Sequence, residues 1–236
     1  MLLRIEMLWM FLFFLGLIIG SFIGALTYRI PRGKSVVFGR SECPNCHKTI
    51  SWYDNIPVLS YLILSGRCRN CHKKISLRYP VIELATAAVF VLSYLGHLSI
   101  LSYLITPVLI AIFVIDLEHQ IIPDSLVFLL FTIIFIIGYN SYSFYTNLFI
   151  GFLSSLLLLS LNLITRGRGM GLGDAKLVIP LTFLLGYPKA FYMFFWAFVI
   201  GAMVGIVLIA TKKVSFGKPI PFGPFLIIGF FMASFI

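Results

Sequence analysis

Gly169-Met170-Gly171-Leu172-Gly173-Asp174-Ala175-Lys176 lies between two long apolar runs, 144–164 and 177–185. A carboxylate at the edge of a membrane-length apolar run is energetically expensive and calls for a functional explanation. Glycines at alternate positions let a backbone approach another chain closely or turn sharply. A second carboxylate, Asp116, stands 58 positions earlier in Val114-Ile115-Asp116-Leu117-Glu118-His119-Gln120-Ile121-Ile122-Pro123-Asp124, at the end of another apolar run. The chain around these stretches reads as a scaffold that brings Asp116 and Asp174 together and delivers a substrate to them.

The composition sets the solvent. Of 236 residues, 60% are hydrophobic and 11% charged, and the mean hydropathy is +1.04. A soluble domain carries roughly 25% charged residues, so the sequence describes a polytopic membrane protein in a lipid bilayer. The formal net charge of +10 reads as loop charge that fixes orientation, and not as nucleic-acid binding. The apolar run 7–26 is too long for a signal-peptide core and has no small-residue cleavage site, so it is expected to remain as a span.

Eight apolar runs are expected to form helices: about 7–28, 80–96, 99–116, 124–139, 144–164, 174–187, 189–210 and 221–236. If the loop 29–79 is cytoplasmic, strict alternation puts 117–123, 165–176 and 211–220 on the same side. That side then holds 16 of the 18 basic residues, among them Arg166, Arg168, Lys176, Lys212, Lys213 and Lys218, with Arg4 and Lys189 opposite. Such asymmetry is what the positive-inside rule demands. It puts Asp116 and Asp174 at the cytoplasmic ends of their spans. The expected organisation is a first span at 1–28, a cytoplasmic loop at 29–79 and a seven-span core at 80–236.

The loop holds all four cysteines, as Cys43-Pro44-Asn45-Cys46 and Cys68-Arg69-Asn70-Cys71. Two CxxC pairs at this separation match a tetrahedral four-thiolate zinc site. Lys48, Arg69 and Lys73 favour thiolates, and a reducing compartment argues against disulfides. A loop of this size has too little core to fold unaided, and a structural zinc would supply the missing stability. His47 and His72 each follow a pair and are alternative ligands. The apolar patch 56–64 is too short to span. It either packs on the knuckles or lies on the membrane surface.

Glu83 falls one turn into the second span and is read as a partner of Arg78 or Arg29, or as a substrate or cofactor contact. Asp124 is read as the cap of the fourth span, and Glu118 and His119 as interfacial loop residues. Two adjacent carboxylates do not both ionise cheaply, so a pair offers a base and an acid together. The base activates water against a peptide carbonyl, and the acid protonates the departing amine. An ion-coupled transporter using the same carboxylates as a proton relay is the alternative. A non-enzymatic assembly factor is a third reading. No serine-nucleophile arrangement, P-loop or HExxH motif competes.

Taken together, these motifs resemble the type IV prepilin leader peptidases, GxGD-type aspartic proteases of the membrane. The resemblance rests on Gly20-Ser21-Phe22 with Tyr28-Arg29-Ile30-Pro31, on the four cysteines, and on Asn55-Ile56-Pro57 with Ser60-Tyr61-Leu62. It continues through Arg78-Tyr79-Pro80 with Glu83, Ile115-Asp116 with Pro123-Asp124, Gly171-Leu172-Gly173-Asp174 with Lys176, and Pro219-Ile220-Pro221-Phe222-Gly223-Pro224. Many members continue after the first motif with Leu-Asn-Val, where this chain has Ile23-Gly24-Ala25. The resemblance implies cleavage of a basic leader from prepilins or pseudopilins at the cytoplasmic face of the bacterial inner membrane. It also implies N-methylation of the new N-terminus with S-adenosylmethionine as donor. Asp116 and Asp174 take the catalytic roles by position, with Gly171, Gly173, Lys176, Glu83 and Asp124 in support. Cys43, Cys46, Cys68 and Cys71 hold zinc. No glycine-rich cofactor motif marks where S-adenosylmethionine would bind. The expected fold is all-α, with about eight transmembrane helices and one small zinc-binding loop domain.

Overall fold

Phe11, Phe14, Ile18 and Phe22 recur at helical spacing and are exposed, whereas Gly16, Gly20 and Gly24 recur at a spacing of four and are buried. Large side chains outside and small ones inside is the pattern of a helix that faces lipid and packs closely on a neighbour. These residues form α1, Leu2–Arg29. The computed structural model describes residues 2–36, 39–139, 142–167, 169–213 and 220–236, with side chains described from residue 7 onward. Arg168, Lys218, Pro219 and the side chain of Arg4 lie outside the described residues.

The chain divides into two compact units, 1–111 and 112–236. The first holds α1, the short helix α2 (Leu59–Ile63) and α3 (Arg78–Leu95), and runs into α4 (Ile100–His119), within which the boundary falls. α1 packs along α3 through the glycine stripe. A Cβ on Gly16 would lie 2.6 Å from the Cα of Ala87, one on Gly20 2.6 Å from the Cα of Glu83, and one on Gly24 3.1 Å from the Tyr79 ring. At the far end Arg78 donates to the Thr27 hydroxyl at 2.7 Å.

Between α1 and α3 lie two knuckles with the same backbone. Cys43 N–H donates to Lys48 O, His47 N–H to Cys43 O and Ile50 N–H to Ser41 O. Shifted by 25 residues, Cys68 N–H donates to Lys73 O, His72 N–H to Cys68 O and Ile75 N–H to Gly66 O. His47 and His72 both adopt φ of 54°. The sequence carries the repeat as Cys43-Pro-Asn-Cys-His-Lys-Thr-Ile50 and Cys68-Arg-Asn-Cys-His-Lys-Lys-Ile75. Each knuckle closes with an isolated antiparallel bridge, Glu42 with Thr49 and Arg67 with Lys74, and no strand forms among the described residues. The patch 56–64 divides by residue. Ser60 and Tyr61 turn inward, onto Tyr53 O and Ile75 O, while Leu59, Leu62 and Ile63 stay exposed.

The second unit is built around α7, Leu172–Leu185, which packs against α5 (Asp124–Gly138), α6 (Phe144–Ile164), α8 (Lys189–Ala210) and α9 (Gly223–Ser234). A helix that is apolar all round belongs inside, and Leu177, Val178 and Leu181 are fully buried. Gly151 brings α6 within van der Waals contact of the Ile179 carbonyl, and Gly229 seats α9 on the Met193 carbonyl of α8.

All eight apolar runs become helix, but among the described residues only α1, α3, α4, α6 and α8 are long and apolar enough to cross a membrane. α5, α7 and α9 have 15, 14 and 12 residues. At 1.5 Å per residue they reach only about 18–22 Å, against a hydrocarbon core of about 30 Å. α7 is short without penalty because protein, not lipid, surrounds it.

Candidate active site: two carboxylates at helix ends

Asp116 sits one turn inside α4, since the helix runs on to His119 and takes in Glu118, both expected in a loop. Asp174 is the third residue of α7, after Gly171 as N-cap. Both are buried. The Gly171 N–H donates to Asp174 Oδ2 at 3.1 Å, the N-terminal half of a capping arrangement that a carboxylate at this position suits. Asp116 Oδ2 accepts the Gly223 N–H at 3.1 Å, from the first turn of α9. The two aspartates lie within electrostatic reach of each other. Ile122 fills the space between their supports. A Cβ on Gly173 would meet Ile122 Cβ at 3.0 Å, and one on Gly223 would meet Ile122 Cδ1 at 3.1 Å.

Three short pieces of backbone therefore converge on the pair: the end of α4 with its following loop, the start of α7 and the start of α9. Two buried carboxylates held at once by single backbone donors each keep hydrogen-bonding capacity for a further ligand. Asp124 does not cap α5, whose N-cap is Pro123 with no side-chain cap bond. Its carboxylate instead accepts Lys176 Nζ at 2.8 Å, two residues beyond Asp174. An α7 lysine within reach is a better partner for an ionised carboxylate than the helix's own amides.

The four cysteine sulfurs of the first unit lie within 4.8 Å of one another. Cys43 and Cys71 are 3.9 Å apart, and Cys46 and Cys68 4.0 Å. Thiolates about 2.3 Å from a tetrahedral zinc would be about 3.8 Å apart, so the donor set fits zinc in number, type and spacing. The Lys73 N–H, with the Asn45 amide behind it, lowers the Cys71 thiol to about 6, whereas at Cys46 the Lys48 N–H is outweighed by desolvation and the neighbouring sulfurs, which raise that thiol to about 11. His47 and His72 are turn residues, not members of the cluster. Arg69 closes the loop with a bidentate contact to Asp54, 2.7 Å at its shortest, and holds that carboxyl below its ordinary value.

Comparison with known proteins decides the family. Residues 14–97 match the bacterial peptidase A24 N-terminal domain, and residues 103–206 match the type IV leader peptidase family. A prepilin leader peptidase/N-methyltransferase of Stutzerimonas stutzeri is 32% identical over 93% of this chain and 87% of its own length. One of Bacillus subtilis is 33% identical over 94% and 92%. The chain belongs to the type IV leader peptidase family. A Pseudomonas aeruginosa relative of the same description is 31% identical. No solved structure matches. The transporter alternative finds no support in these relatives.

Within this type IV leader peptidase, the two matched stretches separate the two polar sites. The first holds the thiols and Glu83; the second holds Asp116, Asp174, Asp124 and Lys176. Among the described residues no guanidinium pairs with Glu83. Glu83 is buried and accepts the Val58 N–H at 2.7 Å. Arg29 is instead spent on the carbonyls of Ser35, Val36, Gly39 and Arg40. Val58 has φ of 59° and ψ of −48°, an uncommon conformation for a β-branched residue. Its Pro57 O to Leu59 N–H bond makes a strained γ-turn. Reading by residue type missed both Val58 and Gly223, because each acts through a backbone N–H. Gly223 was visible only as part of Phe222-Gly223-Pro224, and Val58 only as a residue of the apolar patch 56–64.

Proposed function

We propose that this chain is a membrane aspartic endopeptidase that removes the leader of prepilins or pseudopilins and methylates the amine it exposes. Convergence of Asp116 and Asp174 at buried helix ends is the observation that carries the reading. One carboxylate takes a proton from water as its oxygen attacks the scissile carbonyl carbon. The other gives its proton to the departing nitrogen as the C–N bond breaks, leaving a leader carboxylate and a free N-terminal amine. Asp124 and Lys176 tie the starts of α5 and α7 beside this pair. The proposed topology has eight membrane-embedded helices, of which α5, α7 and α9 are short and α7 is enclosed by its neighbours. The loop 29–79 and both aspartates face the cytoplasm, in line with the side that carries 16 of 18 basic residues. A transmembrane helix has its backbone groups paired internally, so a protease acts most readily where the substrate helix ends, at that interface.

Cys43, Cys46, Cys68 and Cys71 hold zinc in a structural role, because all four positions are filled by protein and none is left for a substrate. S-adenosylmethionine supplies the methyl group. In this chain, Glu83 is the buried carboxylate of the first unit able to accept the proton that the amine releases. The experiment is incubation of purified protein in detergent with a prepilin, read as a leader-sized shift on a gel. Wild type should cleave, and Asp116→Asn and Asp174→Asn should each lose cleavage while remaining folded in the membrane. Substantial cleavage by either variant removes that residue from the reaction.

A further inference from the structure

Gly223 lies beyond the residues matched to the peptidase family, 103–206, yet its backbone touches Asp116 across 107 positions of sequence. We infer that Gly223 is a positioning residue for the Asp116 carboxylate, and that Ile122, wedged between Gly223 and Gly173, sets the spacing of the two aspartate-bearing ends. The inference rests on the peptidase reading above.

Three contacts carry it. The Gly223 N–H donates to Asp116 Oδ2, so one carboxylate oxygen is fixed and the other is left to water or substrate. A Cβ on Gly223 would lie 2.6 Å from that same oxygen and 3.3 Å from the carboxylate carbon. The N–H reaches Asp116 because no side chain stands between them. The third contact is the Ile122 wedge, 3.1 Å from the same Cβ position on one side and 3.0 Å from the Gly173 Cβ position on the other. Gly173 directly precedes Asp174. One isoleucine side chain thus gauges the separation between the α9 start that holds Asp116 and the α7 start that carries Asp174. The start of α9 is itself constrained, since Pro221 precedes it and Pro224 follows Gly223 in its first turn. The register of the N–H is set by backbone and does not depend on a rotamer.

An added methyl at 223 forces the carboxylate to move by about 0.8 Å to regain ordinary contact, and a displacement near 1 Å at reacting groups costs about 100-fold in rate. The test compares wild type, Gly223→Ala, Ile122→Ala and Gly205→Ala in prepilin cleavage, with kcat and KM measured separately and thermal unfolding followed in parallel. Gly205 is the control, because its Cβ would meet only Ile220 Cδ1, at 3.8 Å. Gly223→Ala should lower kcat about 100-fold with KM within about twofold of wild type, as expected for a group that acts on the reacting carboxylate and not on substrate binding. Ile122→Ala removes volume and adds none, so it tests the spacing without a clash. It should lower kcat about tenfold with KM unchanged, and Gly205→Ala should match wild type. Wild-type kcat in Gly223→Ala, or a loss expressed only in KM, overturns the role of Gly223. If Gly223→Ala does not fold, Ile122→Ala decides, and wild-type kcat there overturns the inference. Wild type that cleaves nothing overturns the peptidase reading and this inference together, whereas an active wild type with an equally active Gly223→Ala overturns this inference alone.

Discussion

Adding one methyl group to the glycine stripe of α1 should part α1 from α3. In Gly20→Ala the new carbon would lie 2.6 Å from the Cα of Glu83 and 3.2 Å from two carbonyl oxygens, those of Ile82 and Glu83. All three are backbone atoms and have no rotamer to change. Restoring about 3.5 Å between the two carbons requires the helices to separate by about 0.9 Å. Overpacking of this kind costs about 1–3 kcal/mol, or about 2–12 °C in melting temperature at about 2–4 °C per kcal/mol for a chain of this length. Gly16→Ala meets the Cα of Ala87 at the same 2.6 Å and should cost as much. Gly24→Ala meets only the edge of the Tyr79 ring, at 3.1 Å, and a ring can turn, so it should cost under about 1 kcal/mol. Thermal unfolding of the purified protein in one detergent measures all three. A Gly20→Ala midpoint within a degree of wild type, or a Gly24→Ala loss larger than the Gly20→Ala loss, would refute the close-packing argument.

Metal removal should loosen the loop 29–79 before the helices. Chelation, or Cys71→Ser, should therefore expose Lys48, Lys73 and Lys74 to trypsin while the helical circular dichroism is kept, and simultaneous loss of both signals would count against a separate zinc-stapled loop. Lys176→Met and Asp124→Asn should each cost little stability. Both ends of the pair are more than half exposed, and a double-mutant cycle should give a coupling below about 1 kcal/mol. Asp174→Asn should still methylate a synthetic mature pilin N-terminus from labelled S-adenosylmethionine, whereas Glu83→Gln should weaken methyl transfer more than cleavage. Parallel loss of both activities in Asp174→Asn would show that the two sites are not separable.

What could be read without coordinates follows from how locally each feature is encoded. The apolar runs and the lysines and arginines clustered between them are properties of neighbouring residues, and every run did become a helix. The thiol cluster was legible because CxxC spacing is itself a geometry. The runs 124–139, 174–187 and 221–236 were already short, close to the 15, 14 and 12 residues of α5, α7 and α9, but apolar character reports burial without saying whether lipid or protein does the burying. The partner of Asp124 was misread for a related reason. A residue after Pro123 looks like a cap, but Lys176, 52 positions away, offers a full charge. The roles of Gly223 and Val58 escaped, since the atom that matters in each is a backbone nitrogen that every residue except proline possesses. The 25-residue repeat of the knuckles was present in plain letters and needed only a self-comparison.

That repeat bears on how the loop would acquire a metal. Each knuckle offers two sulfurs, so neither half fills a tetrahedral site alone. Cys46 and Cys68 are 22 positions apart, and a flexible tether of that length has a typical end-to-end distance of about 26 Å. The second knuckle then meets a half-loaded first knuckle at an effective concentration in the millimolar range, far above that of any free thiol ligand it must displace. The contacts of Tyr61 and Ser60 with the knuckle region shorten the search further. Capture by either half would thus commit the other, and the loop would pass from empty to fully coordinated without a stable half-loaded form.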